Sequence, residues 1–221
     1  MTNPAQKPPA EQASTSTSVK HIGVLLFDDV EELDAVGPWE VLANWTLRFP
    51  GDGWMVACVS RDGRPVRAAK GLVLGPHHSF ADVPPLDVLI HPGGQGTRPL
   101  MRDAEHLAWV REQRATVPLL ASVCTGALVY AAAGVLAGRP VTTHWESLGL
   151  LSELDPSLRL RPDARFVDDG DVITSAGVSA GIDMALHLVT RFSSANQARD
   201  VRRDLQYDPQ PPIYQEKPSG R

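Results

Sequence analysis

Three short, mostly apolar segments constrain this chain most: the continuous run His21 to Phe27 (HIGVLLF), Leu86 to His91 (LDVLIH) and Val117 to Val123 (VPLLASV). Each is short for a helix. A strand with one face in water alternates apolar and polar residues, so a run that is apolar throughout must be covered on both faces. That is the pattern of parallel strands inside an α/β sheet.

The segments between these runs read mainly as helices. Asp28 to Glu32 is acidic, as a helix N-terminus prefers, and Leu33, Val36, Leu42 and Trp45 follow at roughly helical spacing, with Gly37-Pro38 expected to break or kink the helix. Gly53 to Ser60 and Pro65 to Ala69 read as strands split by the turn Arg61-Asp62-Gly63, and Asp103 to Arg114 as an amphipathic surface helix. Thr125 to Leu136 reads as a buried helix closed by Ala137-Gly138, Val141 to His144 as a strand, and Trp145 to Leu154 as a helix. Phe166 to Ala176 holds a hairpin turn at Asp168-Asp169-Gly170, and helices follow over Ala180 to Phe192 and Ser194 to Tyr207. This alternation predicts a single-domain α/β fold, a doubly wound, mostly parallel sheet with helices on both faces.

The domain is expected over residues 19–207, between a polar, disordered tail at 1–18 and a Pro-rich tail at 208–221. Val117 to Leu136 approaches the length of a membrane span, but Pro118, Ser122, Cys124, Thr125 and Gly126 inside it fit a buried strand turning into a buried helix better. The formal net charge of −5 supplies no basic field for nucleic acid or an anionic membrane, which leaves a small-molecule substrate. The two cysteines, Cys58 and Cys124, form neither a disulfide framework nor a metal-ligand pair and suit a reducing compartment, hence the cytoplasm. His77-His78 and the other histidines lack ligand spacing with cysteines or acids, so no metal is expected.

Ligands of such sheets bind beyond the carboxyl ends of the strands, and three chain segments lead there. In Ala121-Ser122-Val123-Cys124-Thr125-Gly126, a cysteine stands where a buried strand must turn at once into a helix, as at a nucleophile elbow. A helix N-terminus favours thiolate, which predicts a lowered pKa for Cys124; a small buried core cysteine is the alternative. Cys58, inside an apolar strand, reads as core. Asp34, just past the first strand, can serve as a carboxyl with a raised pKa that exchanges protons with the thiol, although spacing alone favours a surface acid beside Glu31 and Glu32. Pro92-Gly93-Gly94 offers backbone N–H groups that, with the N–H of Thr125, form an oxyanion hole, or it is a plain loop. His144 is a candidate base for Cys124 or a structural histidine at a strand end. Asp183 is better read as favourable charge at a helix N-terminus than as a catalyst.

Taken in order, Leu33-Asp34 with Gly37-Pro38, Pro92-Gly93-Gly94, Ser122-Val123-Cys124-Thr125-Gly126, Thr142-Thr143-His144-Trp145 and Ala180-Gly181-Ile182-Asp183 resemble the ThiJ/PfpI superfamily, from about His21 to Pro212. The resemblance implies a flavodoxin-like, class I glutamine amidotransferase-like domain, a homodimer, and no cofactor. Asp34, the Cys-Thr-Gly elbow and the closing Leu205 to Pro212 stretch look most like members that hydrate isonitriles to N-substituted formamides. That implies Cys124 as nucleophile, Asp34 as proton carrier, Thr125 orienting water, and Gly94 and His144 in support. Superfamily proteases carry His directly after the nucleophile, where this chain has Thr125. Related transcription regulators fuse a similar domain to a helix-turn-helix module; only a Pro-rich stub follows Tyr207 here, so nucleic acid is not expected as a partner. A cofactor-free glyoxalase or deglycase, and a redox or stress sensor without turnover, are the alternative functions.

Overall fold

The computed structural model describes residues 19–209, so the tail at 1–18 and the stretch 210–221 lie outside the described residues. The chain runs through β1 (Lys20–Leu26), α1 (Glu32–Arg48), β2 (Trp54–Ser60) and the short strands β3 (Val66–Arg67), β4 (Val73–Leu74) and β5 (His78–Ser79). There follow β6 (Val88–His91), α2 (Thr97–Leu100), α3 (Ala104–Thr116), β7 (Leu119–Val123) and α4 (Gly126–Ala132). The remainder is β8 (Pro140–Val141), α5 (Leu148–Leu154), β9 (Arg159–Leu160), β10 (Phe166–Asp168), β11 (Val172–Ser175), α6 (Ala180–Phe192) and α7 (Ala195–Asp204).

Seven strands form one sheet in the order β10-β11-β7-β6-β1-β2-β5. All neighbours pair in parallel except β10, which turns back antiparallel on β11. From β1 the chain builds outward through β2, then returns to the other side of β1 with β6 and continues to β7. The direction of winding therefore reverses between β1 and β6, where a doubly wound sheet opens a crevice.

The apolar character of these strands is explained by two cores, one on each face. Ile22, Val24, Val88, Ile90, Leu119 and Ala121 meet α1, α6 and α7 through Leu42, Trp45, Leu188 and Val201. Leu89 and Leu120 meet α3, α4 and α5 through Val110, Leu128 and Leu151. Each fully buried side chain of this kind contributes roughly 1.5–3 kcal/mol. No helix among the described residues is long and apolar enough to cross a membrane.

Several local expectations are corrected. Gly37-Pro38 does not break α1, which is continuous with Pro38 inside it. Tertiary packing holds it: a Cβ on Gly37 would lie 3.1 Å from Ile182 Cγ1, and one on Gly181 would lie 3.1 Å from Pro38 Cγ, so α6 presses on α1 at the proline. The helix after Cys124 ends at Ala132 rather than Leu136, because Gly134 takes φ +78° there and the N–H groups of Gly134 and Val135 satisfy the Ala131 and Tyr130 carbonyls. The expected strands at 65–69 and 141–144 shrink to β3 and β8, which pair only with β4 and β9, outside the main sheet. The helix expected from Trp145 opens with a tight turn over Trp145–Ser147 before α5. The last helix stops at Asp204, ahead of Gln206 at φ +49°.

Candidate active site

β1, β6 and β7 end side by side, so the turns that follow them meet at the crevice. The turn after β1 and the Gly-rich turn after β6 are joined by a bridge between Val30 and Gly94 and by the Glu31 N–H, which donates to the Gly93 carbonyl at 2.9 Å. Gly94 has φ +120°, and a Cβ there would stand 2.4 Å from the Asp29 carbonyl oxygen. No other residue fits this crossing without moving one of the two turns.

Cys124 follows β7 directly, at φ +55°, and is 6% exposed. A side chain in the left-handed region costs roughly 1–2 kcal/mol, so the surroundings must hold it there. They do so through the Cys124 N–H, 3.1 Å from the Ser175 and Ala176 carbonyls, and through the Thr143 hydroxyl, which donates to the Cys124 carbonyl at 2.7 Å. Two backbone N–H groups, those of Thr125 and Val178, are directed at the sulfur. Val178 takes φ +47°, a conformation in which a β-branched residue is a true outlier. Strain thus sits on both sides of the thiol.

Asp34 is fully buried, unlike Glu31 and Glu32, which face Lys70. Its Oδ2 accepts the Gly93 N–H at 3.0 Å, the Cys124 thiol interacts with the same carboxyl, and Oδ1 has no hydrogen-bond partner among the described residues. Burial pushes the Asp34 pKa up to about 7, against the opposing pull of the Gly93 N–H and the thiol. The thiol does not show the lowered pKa that the helix N-terminus suggested. Burial, then the charge of Asp34, push Cys124 up to about 12, and the Thr125 and Val178 N–H groups offset only part of this. α4 is seven residues long, too short to reverse the balance.

The other expected residues fall into place unequally. Gly94 does not present a free N–H, since it donates to Thr125 Oγ1 at 2.9 Å, and the Thr125 hydroxyl donates back to the Gly94 carbonyl at 3.2 Å. Thr125 therefore ties the turn after β7 to the turn after β6. No hydrogen bond joins His144 to Cys124 among the described residues; its ring lies against Gly177, where a Cβ would be 2.4 Å from His144 Cδ2, and its Nδ1 is 3.8 Å from Glu146. Thr143 is the member of that motif that touches the elbow. Asp183 accepts from Arg165 Nε at 2.9 Å and from the Tyr207 hydroxyl at 3.1 Å, a structural role. Cys58 lies half-buried in β2, its thiol pushed up to about 12 by burial. Sequence reasoning missed Val178, because a backbone donor leaves no residue-type signature.

Comparison with known proteins gives a consistent set of relatives. The family model described as DJ-1/PfpI family matches residues 20–191. An isonitrile hydratase from Pseudomonas putida is 42% identical over 193 residues, 87% of this chain and 80% of that protein. The HTH-type transcriptional regulator GbdR of Pseudomonas aeruginosa is 36% identical over 171 residues, 77% of this chain and 46% of the regulator. Among solved structures, a ThiJ/PfpI family protein from Pseudomonas syringae has a TM-score of 0.77 at 31% identity, covering 95% of this chain and 85% of that one. Drosophila melanogaster DJ-1beta, at 23% identity, shares the fold with a TM-score of 0.74, over 86% of this chain and 99% of its own.

Proposed function

The chain belongs to the DJ-1/PfpI family, and on that premise we propose that it is an isonitrile hydratase, converting an isonitrile and water to an N-substituted formamide through a covalent Cys124 thioimidate. The observation that carries the reading is the buried pair of Asp34 and Cys124, in a chain 42% identical to an isonitrile hydratase. Hydration of an isonitrile begins by placing a proton and a nucleophile on the same terminal carbon. A thiol beside a carboxyl that holds its proton near neutral pH offers both to one atom.

In the proposed sequence, neutral Asp34 gives its proton to the isonitrile carbon as Cys124 sulfur bonds to it, and the thiol proton passes to the carboxylate just formed. The product is a thioimidate, R–N=CH–S. No free thiolate is needed, which agrees with the high proton affinity of Cys124. Water then adds to the same carbon while Asp34 protonates the nitrogen and takes a proton from the water. The C–S bond breaks, the formamide C=O forms, and the hydroxyl proton returns to sulfur. The N–H groups of Thr125 and Val178 stabilise charge that develops on sulfur, and Thr125 and Gly94 hold the turn above it.

The near-complete burial of Cys124 favours a slender, rod-shaped substrate end over a trigonal carbonyl. The glyoxalase reading needs a proton carrier such as His144, which does not reach the thiol, and the sensor reading needs an exposed thiolate. The family resemblance implies a homodimer, and the two unpaired cysteines, Cys58 and Cys124, suit the cytoplasm. The test is incubation of purified protein with small isonitriles, following formamide by NMR and the adduct on Cys124 by mass spectrometry. Formamide production undiminished in Cys124→Ser would defeat the scheme.

A further inference from the structure

His91 is fully buried and His106 nearly so on the α3 and α4 side of the sheet, and nothing in the proposed chemistry uses them. His91 ends β6, with its ring edge-on to Tyr130 at 5.5 Å and tilted against Phe27 at 5.4 Å. His106 comes from α3, facing Arg61 and Asp103. Their Nε2 atoms are 3.1 Å apart, and His91 Nδ1 is 2.8 Å from the Pro92 carbonyl oxygen. A carbonyl only accepts, so His91 Nδ1 carries a hydrogen. Burial pushes the two rings down to about 3 and about 4, which leaves both neutral at ordinary pH. His91 Nε2 is then bare and accepts from His106 Nε2–H, so both tautomers are fixed.

The Pro92 carbonyl and the Gly93 N–H are the two ends of one trans peptide and point to opposite sides. One end is held by His91 and the other donates to Asp34 Oδ2 at 3.0 Å. Between a proline and two glycines such a peptide has little steric resistance to rotation, and rotation would withdraw the N–H from the carboxyl. We propose that His91 and His106 are positioning residues for Asp34, forming a directed chain of donors from His106 to His91, through the Pro92–Gly93 peptide, to the carboxyl that carries the proton. The catalytic importance of the chain rests on the role proposed for Asp34; its effect on the proton affinity of that carboxyl does not.

The experiment compares wild type with His91→Phe, His91→Asn, His106→Leu and His106→Gln. In each, kcat and KM for an isonitrile are measured, together with the pH dependence of Cys124 alkylation located by mass spectrometry. His91→Phe removes the Pro92 contact, so kcat is expected to fall about tenfold to a hundredfold with KM little changed. The ionisation of Asp34, seen through alkylation of its neighbour, is expected to move to higher pH. His91→Asn retains a side-chain N–H near the position of Nδ1, and His106→Gln retains one near Nε2; both are expected to restore most of kcat. If His91→Phe does not fold, His106→Leu carries the same expectation in smaller degree. Folded variants lacking the donors with an unchanged alkylation profile and unchanged kcat would overturn the proposal. A shifted alkylation profile in a protein that makes no formamide would uphold the donor chain and reject the hydratase reading.

Discussion

The substitution Asp34→Asn separates the chemistry of the carboxyl from its shape. The amide oxygen it introduces would still accept the Gly93 N–H, so the turn is preserved, but the side chain no longer carries a proton to give. The carboxyl has a pKa near 7 in the fold against an ordinary value of 3.8, and the difference corresponds to about 4 kcal/mol between protonated and ionised forms. Because the folded pKa is raised, the proton stabilises the fold fully below the unfolded value. That contribution is lost as pH climbs through the folded one. The wild type should therefore lose about 4 kcal/mol from this residue between about pH 4 and pH 8, while the amide variant loses none of it. Urea unfolding of both proteins across that range reads the gap directly. The variant is expected to gain on the wild type as pH rises, while its turnover falls by about 10²- to 10⁴-fold. A gap that stays constant from about pH 4 to pH 8 would refute the raised pKa and, with it, the neutral carboxyl that the mechanism needs.

Cys124→Ser should leave the unfolding free energy within about 1 kcal/mol of wild type yet form no covalent adduct with an isonitrile, as intact-mass measurement would show. Thr125→Val removes the acceptor of the Gly94 N–H; calorimetry should find about 1–3 kcal/mol of destabilisation, and unchanged stability would mean that this tie is not made. Gly126→Ala puts a Cβ 2.1 Å from the His91 carbonyl oxygen and 2.8 Å from that of Pro92, against backbone at the end of β6, and should cost about 3 kcal/mol or more in unfolding experiments, with turnover lost in the fraction that still folds.

The middle of the sheet is legible in the sequence because β1, β6 and β7 are buried on both faces and so written as mostly apolar segments, and the hairpin at Asp168-Asp169-Gly170 because Gly170 takes the φ of +88° that such a turn requires. Strands of two residues, such as β5 or β8, leave no pattern long enough to have a period. Pro38 reads as a break because a local rule is blind to a nonlocal force, the contact of α1 with α6 at Gly37 and Gly181. Of the site, Cys124 is marked by its strand-to-helix setting. Asp34 is not, since three acids within four residues look alike until the fold sends two toward Lys70 and one inward. The pKa of the thiol escapes sequence reasoning for a related reason. Sequence shows a helix N-terminus but not how completely the sulfur is enclosed, and enclosure dominates.

The crossing of the turns after β1 and β6 has a temporal meaning. Asp34 meets Gly93 across 59 positions of chain, and Gly94 meets Thr125 across 31. Contacts so distant in sequence form late, after the intervening loops have closed. During synthesis the carboxyl leaves the ribosome long before the thiol, and until β7 settles beside β6 the cysteine has an ordinary pKa and open access to any electrophile in the cell. Completion of the sheet encloses the sulfur and raises its proton affinity in the same step that brings the proton carrier to it. The slowing of Cys124 alkylation by a general agent is thus a clock for maturation: newly made chains should react more slowly with the agent as they gain reactivity toward the substrate.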